Sequence, residues 1–270
     1  RAGYLDVGCG HGLTMLAARN LGFDKAHGVE VDPAFFKLGT QFFPEGLEAT
    51  VGYADDDFLT LSVESQYSLI TFFDVLEHIA DYEEAVQNAL SLCTDDGLIY
   101  FYQGNQNGVQ MVRHEPHYQV PMINQLPREM AIEILLRLNK ITEPEKYVVA
   151  KWPPFAVFER EDCHSALVRG PINLRSGQNY LTTAQGDGAL RALAKEYPVV
   201  LGPILSDAEM AKVDKAYADY ARRYENAKAD PLAHERYFLM NSWNVLLAKN
   251  KGVLRDSARL ESLTPGAING

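Results

Sequence analysis

A β-prone run that ends in three alternating glycines stands at the start of the chain and limits the folds it can adopt. The stretch reads YLDVGCGHG, from Tyr4 to Gly12, and a segment with helical spacing follows it. Glycines at such a turn let a ligand approach the backbone, and the N-terminus of the next helix offers free N–H groups. This order is typical of the first unit of an open α/β sheet that binds an adenosine-containing ligand.

Strand-like and helix-like patterns alternate over the first half of the chain. Apolar strand patterns lie at 2–8, 25–32, 47–55, 67–78 and 95–105. Continuous apolar strands separated by helices predict a parallel sheet that is covered on both faces. The predicted fold class is therefore α/β: a Rossmann-like parallel sheet with helices on both faces and an antiparallel last strand, plus a mostly helical insertion. EKYVVAKW, at 145–152, is a candidate sixth strand.

The second half of the chain predicts an insertion within this sheet domain. We expect the sheet core over residues 1–152, a mainly helical insertion or cap over 153–236, the final core strand over 237–250 and a polar tail over 251–270. Within the insertion, Ser206 and Glu209 have the spacing of a capping box at the start of a long helix. The insertion would shape an acceptor pocket or form the contact of a homodimer.

Charge and composition narrow the range of partners. The 270 residues carry a formal net charge of −11, and the three cysteines have neither metal-ligand nor disulfide spacing. An acidic chain disfavours nucleic acid as a partner. No apolar run approaches the roughly 20 residues that span a bilayer. We therefore predict a cytoplasmic protein with a small-molecule partner, no nucleic acid, no membrane span and no metal.

The residues around the turn separate two classes of cofactor. Glu30 ends the second strand, where this kind of fold places the acid that binds ribose hydroxyls, about 20 residues after the glycines. The glycine spacing is G-x-G-x-G instead of the G-x-G-x-x-G of nicotinamide enzymes, and Asp6 precedes the first glycine. A carboxylate repels a pyrophosphate but attracts an ammonium or sulfonium group. Asp6 therefore favours S-adenosylmethionine over a dinucleotide.

The same stretches resemble a known family. LDVGCGHG resembles the first motif of class I S-adenosylmethionine-dependent methyltransferases, GVEVD resembles their second, and the resemblance covers about residues 4–105. It implies S-adenosylmethionine as the cofactor, bound by Asp6, Gly8, Cys9, Gly10, Gly12, Glu30, Val31, Asp55, Asp56 and Asp74. For Asp55 and Asp56 a solvated acidic loop is an open alternative. Family members cover the cofactor with a segment before the first strand. If the printed chain is complete, we expect that cover to come from 153–236.

Methyl transfer needs a positioned acceptor and, for some acceptors, a base. Histidine suits this role near neutral pH. The resemblance places the ends of the fourth and fifth strands near the methyl group. The catalytic candidates are His78, His114 and His117, with Glu77 and Tyr118 as substrate contacts. The alternative is that His78 only caps the next helix and that the other two are ordinary loop residues.

The stretch FFDVLEH narrows the range of possible methyl acceptors. Family members that methylate amino nitrogens often carry an Asn/Asp-Pro-Pro-Tyr box at this place, which this chain lacks. The resemblance thus favours O-methylation of a small molecule or a saccharide hydroxyl. The alternative is a non-catalytic methyltransferase-like module that binds S-adenosylmethionine and serves a larger complex. A nicotinamide oxidoreductase is disfavoured by the glycine spacing and by Asp6.

Overall fold

The computed structural model describes residues 3–32, 34–35, 37, 47–51, 66–168 and 180–258, with the backbone alone for 47–51 and 255–258. These residues form a seven-stranded sheet. Its strands are β1 (Gly3–Val7), β2 (Ala26–Glu30), β3 (Leu47–Val51), β4 (Tyr67–Phe73), β5 (Cys93–Gly104), β6 (His164–Leu167) and β7 (Ser242–Ala248). Their order is β3-β2-β1-β4-β5-β7-β6. Strands β1 to β5 pair in parallel, whereas β6 and β7 pair antiparallel. The predicted fold class is confirmed.

The helices lie between and after the strands. They are α1 (Leu13–Asn20), α2 (Tyr82–Leu92), α3 (Val109–Arg113), α4 (Arg128–Arg137), α5 (Thr183–Leu201), α6 (Asp207–Ala227), α7 (Pro231–His234) and α8 (Lys251–Ala258). The predicted capping box is present, because the Ser206 hydroxyl and the Glu209 carboxylate each accept a hydrogen bond from the other residue's N–H. Among the helices described, none combines the length and the apolar character needed to cross a membrane.

Aromatic side chains fill the centre of the sheet. Phe72 of β4 and Phe101 of β5 stand side by side in register, and their rings stack with centroids 4.6 Å apart. The ring of Phe158 packs on Phe101 at 5.0 Å. All three side chains are buried. Strands that are covered in this way read as continuous apolar runs, which is why β4 and β5 are recognisable in the sequence.

The chain divides into two compact units. The first consists of Arg1–Gln103, Lys151–Arg169 and Asn244–Gly270, and the second of Gly104–Ala150 and Gly170–Trp243. We predicted that the insertion begins at residue 153, whereas the second unit already includes 104–150. The physical reason is a shared core. Ile134 of α4 is buried in the same apolar cluster as Leu193 of α5 and Val213 of α6.

Two further predictions need correction. EKYVVAKW is not a strand; the sixth strand is His164–Leu167. In that segment the Val148 N–H donates to the Tyr118 hydroxyl at 2.7 Å and the Tyr147 ring stacks on Tyr118, so side-chain contacts replace strand pairing. The tail over 251–270 was predicted as a polar segment without a helix assigned to it, and it begins with α8. Residues 259–270 lie outside the described part of the chain.

Candidate active site

The glycine turn joins β1 to α1 with a backbone that favours glycine. Gly8, Gly10 and Gly12 have φ values of 72°, 52° and 78°, in the left-handed region. The Gly8 N–H donates to the Val29 carbonyl at 2.8 Å, which ties the turn to β2. A Cβ atom on Gly8 would lie 2.5 Å from Cγ2 of Val75, whereas one on Gly10 would have no neighbour within 4 Å. The turn is therefore closed at Gly8 and open at Gly10.

Asp6 is a buried carboxylate at the end of β1. Asp6 is 2% exposed. The Thr71 hydroxyl donates to Oδ1 of Asp6 at 2.8 Å, and the Thr14 hydroxyl donates to Oδ2. Burial raises the pKa of Asp6 to about 6, although the threonine hydrogen bonds act in the opposite direction. A buried carboxylate with a raised pKa gains stability from a nearby cation. The environment of Asp6 thus suits the positively charged ligand that the sequence predicts.

Glu30 binds the turn from the end of β2. Its Oε2 accepts from the Gly10 N–H at 2.7 Å and its Oε1 from the Asp32 N–H at 2.9 Å. An ionised carboxylate offers about four acceptor positions, so these two bonds leave capacity for ligand hydroxyl groups. Val31, the next residue, is exposed. The carboxyl ends of β1 and β2 thus bring Asp6, the glycine turn and Glu30 together, as predicted.

The other predicted cofactor residues fall into three groups. Cys9 is buried, burial raises its thiol pKa to about 12, and its Sγ atom occupies the place where a Cβ on Gly28 would lie. Its side chain therefore packs against β2 and is not a nucleophile. Asp74 is exposed at the end of β4, with a left-handed φ of 51°. Asp55 and Asp56 lie outside the described residues.

Two of the predicted acceptor-side residues lie in a 3-10 turn after β4, Leu76–His78. Glu77 is buried, and Gln103 donates to its Oε2 atom at 2.9 Å. His78 is exposed, and its N–H donates to the Val75 carbonyl. The turn thus presents one side chain to the interior of the first unit and the next one outward.

The loop after α3 carries the remaining candidates. His114 is largely exposed at the end of α3. The partial burial of its imidazole and the positive charge of Arg113 lower its pKa. His117 contacts the carboxylate of Glu115 through Nδ1. Tyr118 is buried, and its hydroxyl accepts from the Val148 N–H and donates to the Lys146 carbonyl at 3.4 Å. The Tyr118 hydroxyl is thus engaged by the backbone, which favours a packing role over the predicted substrate contact.

Sequence reasoning missed several partners of these residues. Thr71 could have been found, because the parallel register places it opposite Asp6. Thr14, in the first turn of α1, follows the glycine turn closely enough to have been considered. Glu115 was visible beside His114 and His117, but its hydrogen bonds depend on the conformation of the loop. Gln103 gave no signal of its own, since its contact depends on the packing of β5 beside the turn after β4.

Comparison with known proteins gives one family and a set of solved structures. A family model described as a methyltransferase domain matches residues 1–138, just over half of the chain. The YcgJ protein of Bacillus subtilis is 16% identical with a TM-score of 0.48, and the match covers 93% of this chain and 94% of that one. A putative S-adenosylmethionine-dependent methyltransferase from Listeria monocytogenes is 17% identical with a TM-score of 0.36, over 39% of this chain and 49% of that one.

A further solved structure and the curated proteins complete the comparison. A TehB-like methyltransferase from Corynebacterium glutamicum is 26% identical with a TM-score of 0.34, over 38% of this chain and 55% of that one. The chain thus spans about half of the length of the Listeria protein and of the Corynebacterium protein. No protein of curated function matches the chain.

Proposed function

Because the chain belongs to the family of methyltransferase domains, we propose that it transfers the methyl group of S-adenosylmethionine to a hydroxyl group of a small molecule or a saccharide. Family membership supports the predicted enzyme class, a methyltransferase, and agrees with the predicted cofactor. The acceptor and the roles of individual residues are our proposal, and they rest on the chemistry of the site.

The buried Asp6 beside the open turn at Gly10 is the observation that carries the proposal. S-adenosylmethionine supplies an electrophilic methyl group on a sulfonium centre and also carries an ammonium group. The Asp6 carboxylate would attract these positive charges, and the absence of a Cβ at Gly10 would admit the ligand to the backbone. The remaining acceptor positions of Glu30 would bind ribose hydroxyls, and the exposed Val31 would contact the adenine ring.

The acceptor side supports a hydroxyl substrate. An alcohol that attacks a methyl group must lose its proton, and a histidine near neutral pH can accept that proton. The candidates are His78, His114 and His117. The first ends the 3-10 turn after β4, and the other two lie in the loop after α3, the helix that follows β5. The residues after β4 read DVLEH and form a 3-10 turn, in place of the Asn/Asp-Pro-Pro-Tyr box that favours amino nitrogens.

Calorimetry tests the cofactor site. S-adenosylmethionine is titrated into the wild-type protein, into Gly10→Arg, and into Gly188→Arg as a matched control. Gly188 also has no atom within 4 Å of a built Cβ, but it lies in α5 of the second unit. We expect Gly10→Arg to lose binding because the arginine fills the open side of the turn, and Gly188→Arg to bind normally. Equal affinity in all three proteins would contradict the proposed cofactor site.

The acceptor is tested by the release of S-adenosylhomocysteine over a panel of small-molecule and saccharide alcohols, amines and thiols. The proposal expects turnover on alcohols that depends on an intact turn at Gly10. Turnover on amines alone would contradict the assignment of the acceptor. Tight binding of S-adenosylmethionine without turnover on any acceptor would support the non-catalytic alternative.

A further inference from the structure

A chain of two hydroxyl groups leads to the carboxylate of Asp6 from inside the sheet. The Thr71 hydroxyl donates to Oδ1 of Asp6 at 2.8 Å, and the hydroxyl oxygens of Tyr4 and Thr71 lie 2.6 Å apart. The three residues are buried, with Tyr4 3%, Asp6 2% and Thr71 5% exposed. They lie on the adjacent strands β1 and β4, within the first unit. Of the three, only Asp6 was predicted to bind the cofactor.

The direction of these hydrogen bonds follows from the protons that are present. An ionised carboxylate can only accept, so the single hydroxyl proton of Thr71 goes to Asp6. The Leu5 carbonyl is a second acceptor near that proton, but it lies farther away, at 3.5 Å. Tyr4 must then donate its own proton to the Thr71 oxygen. Burial and the negative charge of Asp6 raise the pKa of the Tyr4 hydroxyl, so Tyr4 keeps this proton at neutral pH.

The two hydroxyls oppose the effect of burial on Asp6. Burial favours the neutral carboxylic acid, whereas a hydrogen bond donated to the carboxylate favours its ionised form. Hydrogen bonds in a chain polarise one another, so the bond from Tyr4 strengthens the bond from Thr71 to Asp6. The Thr14 hydroxyl donates to the other oxygen of Asp6. Both carboxylate oxygens are thus fixed by donors of the first unit.

Glu30 and Cys9 are further titratable groups that face Asp6. The negative charge of Glu30 raises the pKa of Asp6. The Cys9 thiol is neutral, because burial and the charges of Asp6 and Glu30 raise its pKa to about 12. Neither group stabilises a negative charge on Asp6. The hydroxyl donors therefore favour the ionised carboxylate against both burial and the charge of Glu30.

We propose, on the premise of the proposed function, that Tyr4 is a positioning residue for the cofactor. Through Thr71, it keeps the Asp6 carboxylate ionised and fixed in orientation for the positive charge of S-adenosylmethionine. Tyr4 needs no contact with the ligand for this role. In surroundings of low dielectric constant, a fixed carboxylate attracts a cation more strongly than a hydrated, mobile one does. An Asp6 side chain that is protonated or rotated would lose this attraction.

Carbon NMR of the unliganded protein tests the charge of Asp6 without the cofactor. The aspartate carboxyl carbons are labelled with carbon-13, and the Asp6 signal is identified by its loss in Asp6→Asn. Its titration midpoint is compared in the wild-type protein, Tyr4→Phe and Tyr67→Phe. Tyr67 is the matched control, because it is also a buried tyrosine of the first unit but its hydroxyl lies 3.3 Å from Nδ1 of His27. We expect a higher midpoint in Tyr4→Phe and an unchanged one in Tyr67→Phe.

Calorimetry with S-adenosylmethionine at neutral pH measures the consequence for binding. We expect Tyr4→Phe to weaken the affinity about 2- to 10-fold, which corresponds to the net contribution of one hydrogen bond. Thr71→Val removes a donor to a charged group at nearly constant size and should weaken the affinity about 10- to 100-fold, whereas Thr71→Ser keeps the hydroxyl and should stay within about threefold of the wild type. The double variant Tyr4→Phe/Thr71→Val should bind no more weakly than Thr71→Val, because Tyr4 acts through Thr71.

The outcomes separate this proposal from the proposed function, once circular dichroism has shown that each variant is folded. An Asp6 midpoint that is the same in Tyr4→Phe and the wild type would overturn the proposal, and so would an equal rise in Tyr67→Phe. A double variant that binds more weakly than Thr71→Val would also overturn it, because Tyr4 would then act independently of Thr71. If the wild-type protein binds no S-adenosylmethionine, the proposed function fails on its own. In that case the NMR midpoints still decide whether Tyr4 supports the ionised form of Asp6.

Discussion

Two glycines of the turn, Gly8 and Gly10, allow a measurement that separates backbone strain from steric contact. Replacing Gly8 or Gly10 by alanine places a side chain at a φ of 72° or 52°. Each change should cost about 1 kcal/mol, since left-handed backbone costs alanine roughly 1–2 kcal/mol. Only Gly8→Ala adds a contact, because its Cβ would lie 2.5 Å from Cγ2 of Val75 and 3.1 Å from Cγ1.

This contact makes the two substitutions unequal. To admit the new methyl group, the Val75 side chain must leave its rotamer well or the backbone must shift, which costs about 0.5–1.5 kcal/mol. We therefore expect Gly8→Ala to lower the free energy of unfolding by about 1.5–2.5 kcal/mol and Gly10→Ala by about 1 kcal/mol. In a Val75→Ala background the nearest remaining atom is Cβ of residue 75 at 3.4 Å, an ordinary contact. There the cost of Gly8→Ala should fall to about 1 kcal/mol.

Urea unfolding of the four proteins and the wild type, followed by far-ultraviolet circular dichroism, measures these differences through the midpoints at constant slope. The reasoning is refuted if Gly8→Ala and Gly10→Ala cost the same within about 0.5 kcal/mol, the usual limit of additivity. It is also refuted if Val75→Ala leaves the cost of Gly8→Ala unchanged. The affinity for S-adenosylmethionine should show the reverse order, with a larger loss in Gly10→Ala than in Gly8→Ala. Only Gly10→Ala adds a methyl group on the open side of the turn, where we propose that the ligand binds.

Three other predictions follow from single contacts. The pKa of Asp6 is raised to about 6, so its carboxyl is largely neutral at pH 5 and ionised at pH 7. Calorimetry should show that the affinity for S-adenosylmethionine rises over this pH interval in the wild-type protein and stays weak and constant in Asp6→Asn. An affinity of the wild-type protein that does not change with pH would contradict the role of Asp6. Asn105 is fully buried and donates to three carbonyls of residues 236–240; Asn105→Ala should cost about 3 kcal/mol in urea unfolding, and a loss below about 1 kcal/mol would argue against these bonds. Tyr118→Phe removes the acceptor of the Val148 N–H; it should cost about 1 kcal/mol of stability with kcat within about twofold, and a large fall in kcat with unchanged stability would restore the predicted substrate role.

The first unit was predictable where its structure depends on local sequence. A turn that needs left-handed backbone selects glycine directly, so Gly8, Gly10 and Gly12 mark it in the sequence. Buried parallel strands select continuous apolar runs, so β1, β4 and β5 could be located to within a few residues. Glu30 follows from the same geometry, because the end of β2 must lie beside the turn at the end of β1.

The chemical environment of the site was less predictable, because it depends on contacts between distant residues. The sign of the Asp6 charge suggested a cationic ligand, but its pKa is raised by burial and is lowered in part by a hydrogen bond from Thr71, a residue 65 positions away in the chain. Glu115 was visible as one polar residue among several in its loop. Its contacts depend on a loop conformation that turns one carboxylate oxygen toward the Tyr118 N–H and the other toward the His117 ring.

Helix α5 shows why the second unit was the harder part to predict. Its sequence contains Gly186 and Pro198, residues that disfavour helix interiors, so local propensity argued against a helix there. The structure gives a reason for Gly186: a Cβ at this position would lie 2.5 Å from the hydroxyl of Tyr224 and 2.5 Å from Cδ2 of Leu239. The Tyr224 hydroxyl in turn donates to Asp187, the neighbour of that glycine, at 3.0 Å. The glycine weakens the isolated helix but permits α6 to pack closely against it, so the residue that hides α5 in the sequence is one that the packing of the second unit requires.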